Sequence, residues 1–286
     1  MKQIARFGPG GNSESFYNTG HKATVQAPGW LREIGLDAYE YQAGNGLTAG
    51  TATLRAIGEK AKEHGIAMSL HTPYFISLAS AEEEKRLKSV DYIRRSLDAA
   101  EALNADTIVI HCGGVAKMTR EEGMRHSVET LELLLRDLPA DLGIRLGLET
   151  MGKINQLGTV EEVIELCKLD PRLYPVVDWG HLNARNLGGY FPDADSYRRV
   201  FSDIADALGA SYAETLHCHF SKIEFGKGGE KKHLTFSDNE FGPRFEPLAE
   251  AIAKDGLAPR IICESAGTMA EDALTMKNHY LAALNA

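Results

Sequence analysis

Ile108-Val109-Ile110-His111-Cys112-Gly113-Gly114 is the stretch whose reading decides the fold. A run of β-branched residues ending on an imidazole and then on glycines reads as a buried strand. Its end carries a metal-type side chain, and a βα turn follows. The same order recurs before it in Ser69-Leu70-His71. It recurs after it in Leu146-Gly147-Leu148-Glu149, Val176-Val177-Asp178, Thr215-Leu216-His217 and Ile261-Ile262-Cys263-Glu264. Steps of 40, 38, 29, 39 and 47 residues separate the six polar ends, each about one βα unit long. This spacing predicts an α/β protein, a (β/α)₈ TIM barrel, with all six groups at the C-terminal mouth where barrel enzymes keep their chemistry.

Working outward, strands are expected near 2–7, 37–42, 66–71, 106–112, 144–149, 174–178, 214–220 and 259–264, the eight that a barrel requires. Helical patterns lie between them. In Ala81–Leu103 the apolar positions Leu87, Val90, Ile93, Leu97 and Ala100 recur every three or four residues, as one buried face demands. Thr159 ahead of Val160-Glu161-Glu162 reads as an N-cap, and Asp193 or Asp195 as the cap of a helix running to about Leu208. Strands alternating with helices imply a parallel sheet. Two polar stretches exceed simple turns, Ala43–Gly50 and Ser221–Arg244, and long loops on this side carry recognition. Phe7-Gly8-Pro9-Gly10-Gly11-Asn12 lacks the Lys-Ser/Thr sequel of a phosphate loop and reads as a tight turn after the first strand.

A chain of 286 residues accommodates such a barrel without a second core, so 1–286 is expected to be one domain. The start shows no basic end and apolar stretch of a signal peptide, and no apolar run approaches the roughly 20 residues of a membrane span. A cytoplasmic protein is expected. Cys112, Cys167, Cys218 and Cys263 form no CxxC pair and read as buried free thiols. The formal charge of −9 argues against a broad nucleic-acid-coating surface, which needs Lys and Arg against phosphates. It leaves room for a local site, because divalent metals add positive charge. Nothing in the sequence points to a protein partner.

A lone histidine at a strand end is more often structural than a ligand. Three histidines and three carboxylates converging on one mouth would repel one another or stay unsatisfied without cations. Mixed nitrogen and oxygen donors favour zinc or manganese over calcium or magnesium. His181, three residues after Asp178, and Glu230 with His233 supply donors for an additional metal. His217 and His219 share one strand face, so both point inward and the residues alone leave the choice between them open. No serine or cysteine nucleophile arrangement stands out.

With these residues in place, the chain resembles the endonuclease IV family of DNA repair enzymes, within the xylose-isomerase-like barrels, over nearly its whole length. The matching motifs are His71-Thr72-Pro73-Tyr74, His111-Cys112-Gly113, Glu149-Thr150, Asp178 to His181, His217 to Lys222 in the form His-x-x-x-Ser-Lys, and Glu264. The resemblance implies a phosphodiester hydrolase that cuts DNA 5′ to abasic sites with up to three zinc ions, manganese replacing zinc at one or more sites. It implies a first metal on His71, His111 and Glu149, and a second on Glu149, Asp178, His217 and Glu264, with His219 as the alternative to His217. It implies a third on His181, Glu230 and His233. Glu149 and Glu264 would orient or deprotonate the attacking water, and Tyr74 and Lys222 would contact DNA. Lys222, Lys227, Lys231 and Lys232 form a local basic patch after the seventh strand.

The chain departs from the family where an Asp-x-His pair is expected, having Glu230-Lys231-Lys232-His233 instead, and His219 stands in place of a typical Asn. It resembles a divergent branch. The rival reading is a sugar isomerase or epimerase of the same superfamily, with one manganese on Glu149, Asp178, His217 and Glu264. Such an enzyme has no need of His71 and His111. A barrel that binds metal and ligand without turnover is the third class.

Overall fold

The computed structural model describes residues 4–286. Strands β1 (Arg6–Pro9), β2 (Ala38–Gln42), β3 (Ala67–His71), β4 (Thr107–His111), β5 (Arg145–Glu149), β6 (Leu173–Asp178) and β7 (His217–Phe220) precede an antiparallel hairpin of β8 (Ile223–Gly226) and β9 (Gly229–His233). Strand β10 (Arg260–Cys263) completes the barrel. Eight strands lie in the order β1-β10-β7-β6-β5-β4-β3-β2, and every ladder is parallel. The expected (β/α)₈ TIM barrel is therefore observed.

The expected strands are found, with two shifted boundaries. The seventh begins at His217 rather than 214 because Ala210–Glu214 is a short helix. The first was expected over 2–7 and continues to Pro9, while positions 2 and 3 lie outside the described residues. The turn after it opens at Gly11, whose φ is +81°.

The barrel closes at β1 and β2 without a ladder. Gly10 bridges Glu40, the Gly11 amide donates to the Glu40 carbonyl at 2.9 Å, and the Asp37 amide donates to the Phe7 carbonyl at 3.1 Å. A Cβ on Gly8 would stand 1.7 Å from the Ala38 carbonyl oxygen, so the two backbones can approach only over a glycine.

Helices cover the barrel as their periodicity demands. Glu83–Ala102 buries Val90, Ile93, Leu97 and Ala100. Leu87, expected on the same face, is exposed. At that turn the inward position belongs to Ser89, whose hydroxyl accepts from the Ser77 amide at 3.0 Å. Thr159 caps Val160–Cys167 through the Glu162 amide, and Asp193 caps Ala194–Leu208 through Ser196. At the opposite end of the barrel from the mouth, Arg260 pairs with both Asp106 oxygens at 2.6 and 2.7 Å. The four cysteines are free and buried. Among the described residues no helix is long and apolar enough to cross a membrane.

The stretch Ser221–Arg244 is not an irregular loop, because it contains the β8–β9 hairpin. Its tip is clamped to the segment after β5: the Glu230 amide donates to the Gly152 carbonyl and the Ile154 amide to the Gly228 carbonyl, both at 3.0 Å. Gly229 makes this approach possible, since its φ is +88° and a Cβ there would lie 2.2 Å from the Gly152 oxygen.

Candidate metal centre

Parallel register sets the height of every side chain at the mouth. His111 pairs with Glu149 and Asp178 pairs with His219 across their ladders, and Glu264 follows β10 directly. Alternation then turns all of them inward. The result is a set of donors within reach of one another in five groups: His71, His111 and Glu149; Glu149, Asp178, His219 and Glu264; His181, Glu230 and His233; His71, His219 and Glu264; and, deeper, Glu40, His217 and His219. Within each group one donor atom per residue lies within 4.8 Å of every other.

In the first group, Glu149 Oε2 stands 3.0 Å from His111 Nε2 and 3.5 Å from His71 Nε2. Neither contact has hydrogen-bond geometry, and this buried oxygen has no donor. His71 Nδ1 lies 2.8 Å from the Thr72 carbonyl, which assigns the ring proton to Nδ1 and leaves the Nε2 lone pair facing the carboxylate. In the second group, His219 Nδ1 lies 2.8 Å from Glu149 Oε1 and 3.6 Å from Glu264 Oε2. Asp178 caps the helix Trp179–Arg185 by accepting from the His181 amide at 2.7 Å, while its other oxygen is buried without a donor.

The third group depends on the hairpin. On a regular strand, residues three apart point to opposite faces. Here Glu224 pairs with Lys232 and Phe225 with Glu230, so Lys231 is an extra residue in β9. That bulge returns Glu230 and His233 to one face. Glu230 Oε2 comes within 3.5 Å of His181 Nε2, and Glu230 Oε1 within 3.9 Å of His233 Nε2. His181 Nδ1 contacts the Thr150 carbonyl at 2.9 Å, leaving Nε2 free toward Glu230.

Two expectations need correction. His217 does not join Glu149, Asp178 and Glu264; His219 does. The β6–β7 register pairs Val176 with His217 and Asp178 with His219, so His217 sits one pleat, about 6.6 Å, deeper in the barrel. Lys222 does not face the mouth. Its ammonium donates to the Phe236 and Asp238 carbonyls and ties down the loop beyond the hairpin. Tyr74 does stand at the rim, 54% exposed, with its ring stacked 5.5 Å from that of His111.

The residue missed was Glu40. It is fully buried on β2, and its carboxylate contacts Ser69, His217 and His219. A signal was available: a carboxylate flanked by tyrosines in Ala38-Tyr39-Glu40-Tyr41-Gln42, at an inner position of a strand, is costly to bury unless it serves other groups.

Electrostatics fit divalent cations at this mouth. Burial pushes the Asp178 carboxyl up, and the Glu264 and Glu149 charges add to the rise. Burial acts on Glu149 in the same direction, yet the His219 and His111 imidazoles hold it well below the usual carboxylate range. Burial disfavours charge on His181, but Asp178 and Glu230 overcome it and raise its pKa to about 9. Neighbouring acids and imidazoles thus compete for a few protons in a water-poor volume, with Glu149 Oε2 and Asp178 Oδ2 lacking any donor. Divalent ions would satisfy those oxygens and displace the ring protons. The cavity above them, about 410 Å³, is lined by His71, Tyr74, His111, His181, Glu230 and Glu264 among others.

Comparison with known proteins agrees with this architecture. The chain belongs to the xylose isomerase-like TIM barrel family, which matches residues 28–279. An uncharacterized protein of Methanocaldococcus jannaschii is 31% identical over 252 residues, 86% of this chain and 88% of that one. A probable endonuclease 4 of Staphylococcus carnosus is 30% identical over 175 residues, 59% of this chain; the match spans 57% of that protein. Two solved structures share the fold almost equally. Endonuclease IV from Thermus thermophilus has a TM-score of 0.68 at 18% identity, covering 98% of this chain and 99% of that one. A D-tagatose 3-epimerase-like protein has 0.69 at 20%, covering 98% of each. The fold by itself does not choose between a nuclease and an epimerase.

Proposed function

We propose that this chain, acting as a single barrel domain over 1–286, is a cytoplasmic metal-dependent phosphodiester hydrolase that cleaves DNA 5′ to abasic sites. The observation that carries the reading is the presence of several donor groups at the mouth rather than one. The relationship to proteins named endonuclease 4 supports it. His71, His111 and Glu149 would hold a first metal, Glu149, Asp178, His219 and Glu264 a second, and His181, Glu230 and His233 a third. Zinc suits these mixed donors, with manganese acceptable at one or more sites.

Bound divalent ions supply Lewis acidity and bring the pKa of water from about 15.7 toward 7. The protein's own groups do the rest. Glu264, at the edge of the cavity, takes a proton from the attacking water, and Glu149, fixed between imidazoles, orients it. Tyr74 lies against the extruded sugar. An abasic nucleotide has lost its pairing and stacking, so turning it out costs less than turning out a normal one, and the cavity selects it without reading a base. Lys153 lines the cavity and Lys227 is exposed on the hairpin, giving local positive charge to an acidic protein.

The test is metal content by elemental analysis on protein purified without chelator, followed by cleavage of a duplex with one abasic site. About three equivalents and a cut 5′ to the lesion are expected. A single equivalent with no cleavage would overturn the reading in favour of a sugar isomerase or epimerase. In that enzyme Glu149, Asp178, His219 and Glu264 would hold one manganese, and the two glutamates would exchange a proton at carbon. That second reading is supported by the four-residue donor group, and it leaves His71 and His111 without a task.

A further inference from the structure

The end of the barrel opposite the mouth carries charge of the other sign. Alternation along the strands turns the first residue of β1, β5 and β10 inward, and in each case that residue is an arginine: Arg6, Arg145 and Arg260. Arg6 and Arg260 are direct neighbours across their ladder, where like charges repel. Arg145 comes from β5, on the opposite side of the ring from β1. All three guanidinium-bearing side chains line one cavity of about 180 Å³, and Asp106 is the single acid in its wall.

Asp106 answers one of these charges, since both its oxygens bond Arg260. The other two stay in excess, in a chain of formal charge −9. Arg145 rests 4.6 Å from the centre of the Tyr174 ring and otherwise meets only the Thr215 carbonyl and hydroxyl, at 3.3 and 3.4 Å. Two buried nitrogens of the same wall have no partner among the described residues: Arg260 Nε and His217 Nδ1. The His217 side chain is 4% exposed, and its Nε2 is already engaged with Glu40 Oε2 at 2.9 Å. Buried polar nitrogens left unpaired are costly, and here they share a cavity with excess positive charge.

We propose that this floor cavity binds one hydrogen phosphate, held between Arg6 and Arg145 with Arg260 Nε as a further donor, and that its binding ties opposite walls of the barrel together. Guanidinium forks match oxyanions two oxygens at a time, which a halide cannot offer. Arginines arriving from opposite sides need more oxygens than one planar carboxylate has. The hydroxyl of hydrogen phosphate also gives His217 Nδ1 a donor, since Nε2 is the ring nitrogen turned to the Glu40 carboxylate. The site is independent of the hydrolase reading, because none of its residues belongs to the mouth.

The experiment titrates the metal-loaded protein with inorganic phosphate and follows the arginine Nε–Hε signals by ¹H–¹⁵N correlation, with melting temperature alongside. The signals of Arg6, Arg145 and Arg260 should shift saturably, and the melting temperature should rise with phosphate. In Arg145→Gln the dissociation constant should increase about tenfold or more, whereas His219→Ala, altered at the mouth, should keep the wild-type value. Sulfate, with no hydroxyl to donate, should bind more weakly than phosphate. Sulfate binding as tightly as phosphate would overturn the choice of hydrogen phosphate. Floor arginines that do not shift in wild type overturn the proposal without any variant, as does an equal response to sodium chloride at matched ionic strength, which would be general screening. Phosphate binding lost in His219→Ala and kept in Arg145→Gln would place the anion at the mouth and overturn the floor site.

Discussion

The mouth of the barrel is built in two different ways, and the contrast explains how firmly each part is placed. His71, His111, Glu149, Asp178, His219 and Glu264 sit on or directly after parallel strands, where every neighbour's register fixes their height and inward direction. Glu230 and His233 sit on a two-stranded hairpin outside the barrel sheet, and their common direction depends on one extra residue, Lys231. A two-stranded ribbon alone is marginal in water. This one is held by its clamp to Gly152 and Ile154. The first set is a property of the fold. The second is a property of one loop.

The contrast can be broken from its centre outward. Glu149→Gln removes the carboxylate common to two donor groups; we expect most bound metal to be lost and abasic-site cleavage to fall by about 10³-fold or more. Full activity with intact metal content would remove Glu149 from the centre. His219→Ala should release the second metal, whereas His217→Ala, which loses a partner of Glu40 but no ligand, should retain more metal than His219→Ala and mainly lower the melting temperature. Equal metal loss in the two would place both imidazoles at the same site.

Deleting Lys231 tests the hairpin side. Without the bulge, Glu230 and His233 point to opposite faces, and elemental analysis should read about one equivalent fewer while the strand-borne set keeps its metals. Unchanged metal content would mean that Glu230 is not a ligand. Tyr74→Ala is a smaller change, expected to weaken binding to abasic DNA about tenfold, the low end of an aromatic contact with a nucleotide, with metal content unaltered.

The smallest effect is expected at the far end of the barrel. Partial burial pushes the Asp106 carboxyl up, but the Arg260 guanidinium bonded to it holds it at about 2. A carboxyl depressed on folding contributes stability above its unfolded value near 3.9, and loses that contribution as pH falls through about 2. Because Asp106 is largely exposed, solvent screening limits the contribution to about 1 kcal/mol. Urea unfolding of Asp106→Asn should therefore differ from wild type by about that amount at pH 6 and converge with it near pH 2, with metal content the same. A difference that persists at pH 2 would assign it to something other than this pair.

Fold and site are not equally legible in the sequence. Strands such as Ile108-Val109-Ile110 announce themselves because burial on both faces leaves a continuous apolar run, and the polar residue ending each run marks the mouth. The choice between His217 and His219 is hidden, because both occupy the same face and only pairing with β6 gives their heights. Lys222 reads as part of a basic patch, which composition supports, while its actual partners are carbonyls 14 and 16 residues away that no local pattern reveals. The hairpin lies concealed in a polar stretch because its pairing is short and its bulge disrupts alternation. Glu40 escapes a search of strand ends because it occupies the middle of a strand, where a buried acid is the stronger anomaly.

The glycine seam between β1 and β2 is where this barrel is expected to open first. Seven of its junctions are continuous ladders, and this one is a few hydrogen bonds around Gly10, Gly11 and Asp37. Amide deuterium uptake should begin there, ahead of the β4–β5 ladder that carries His111 and Glu149. The one junction in the wall of the cylinder without a ladder runs beside Glu40.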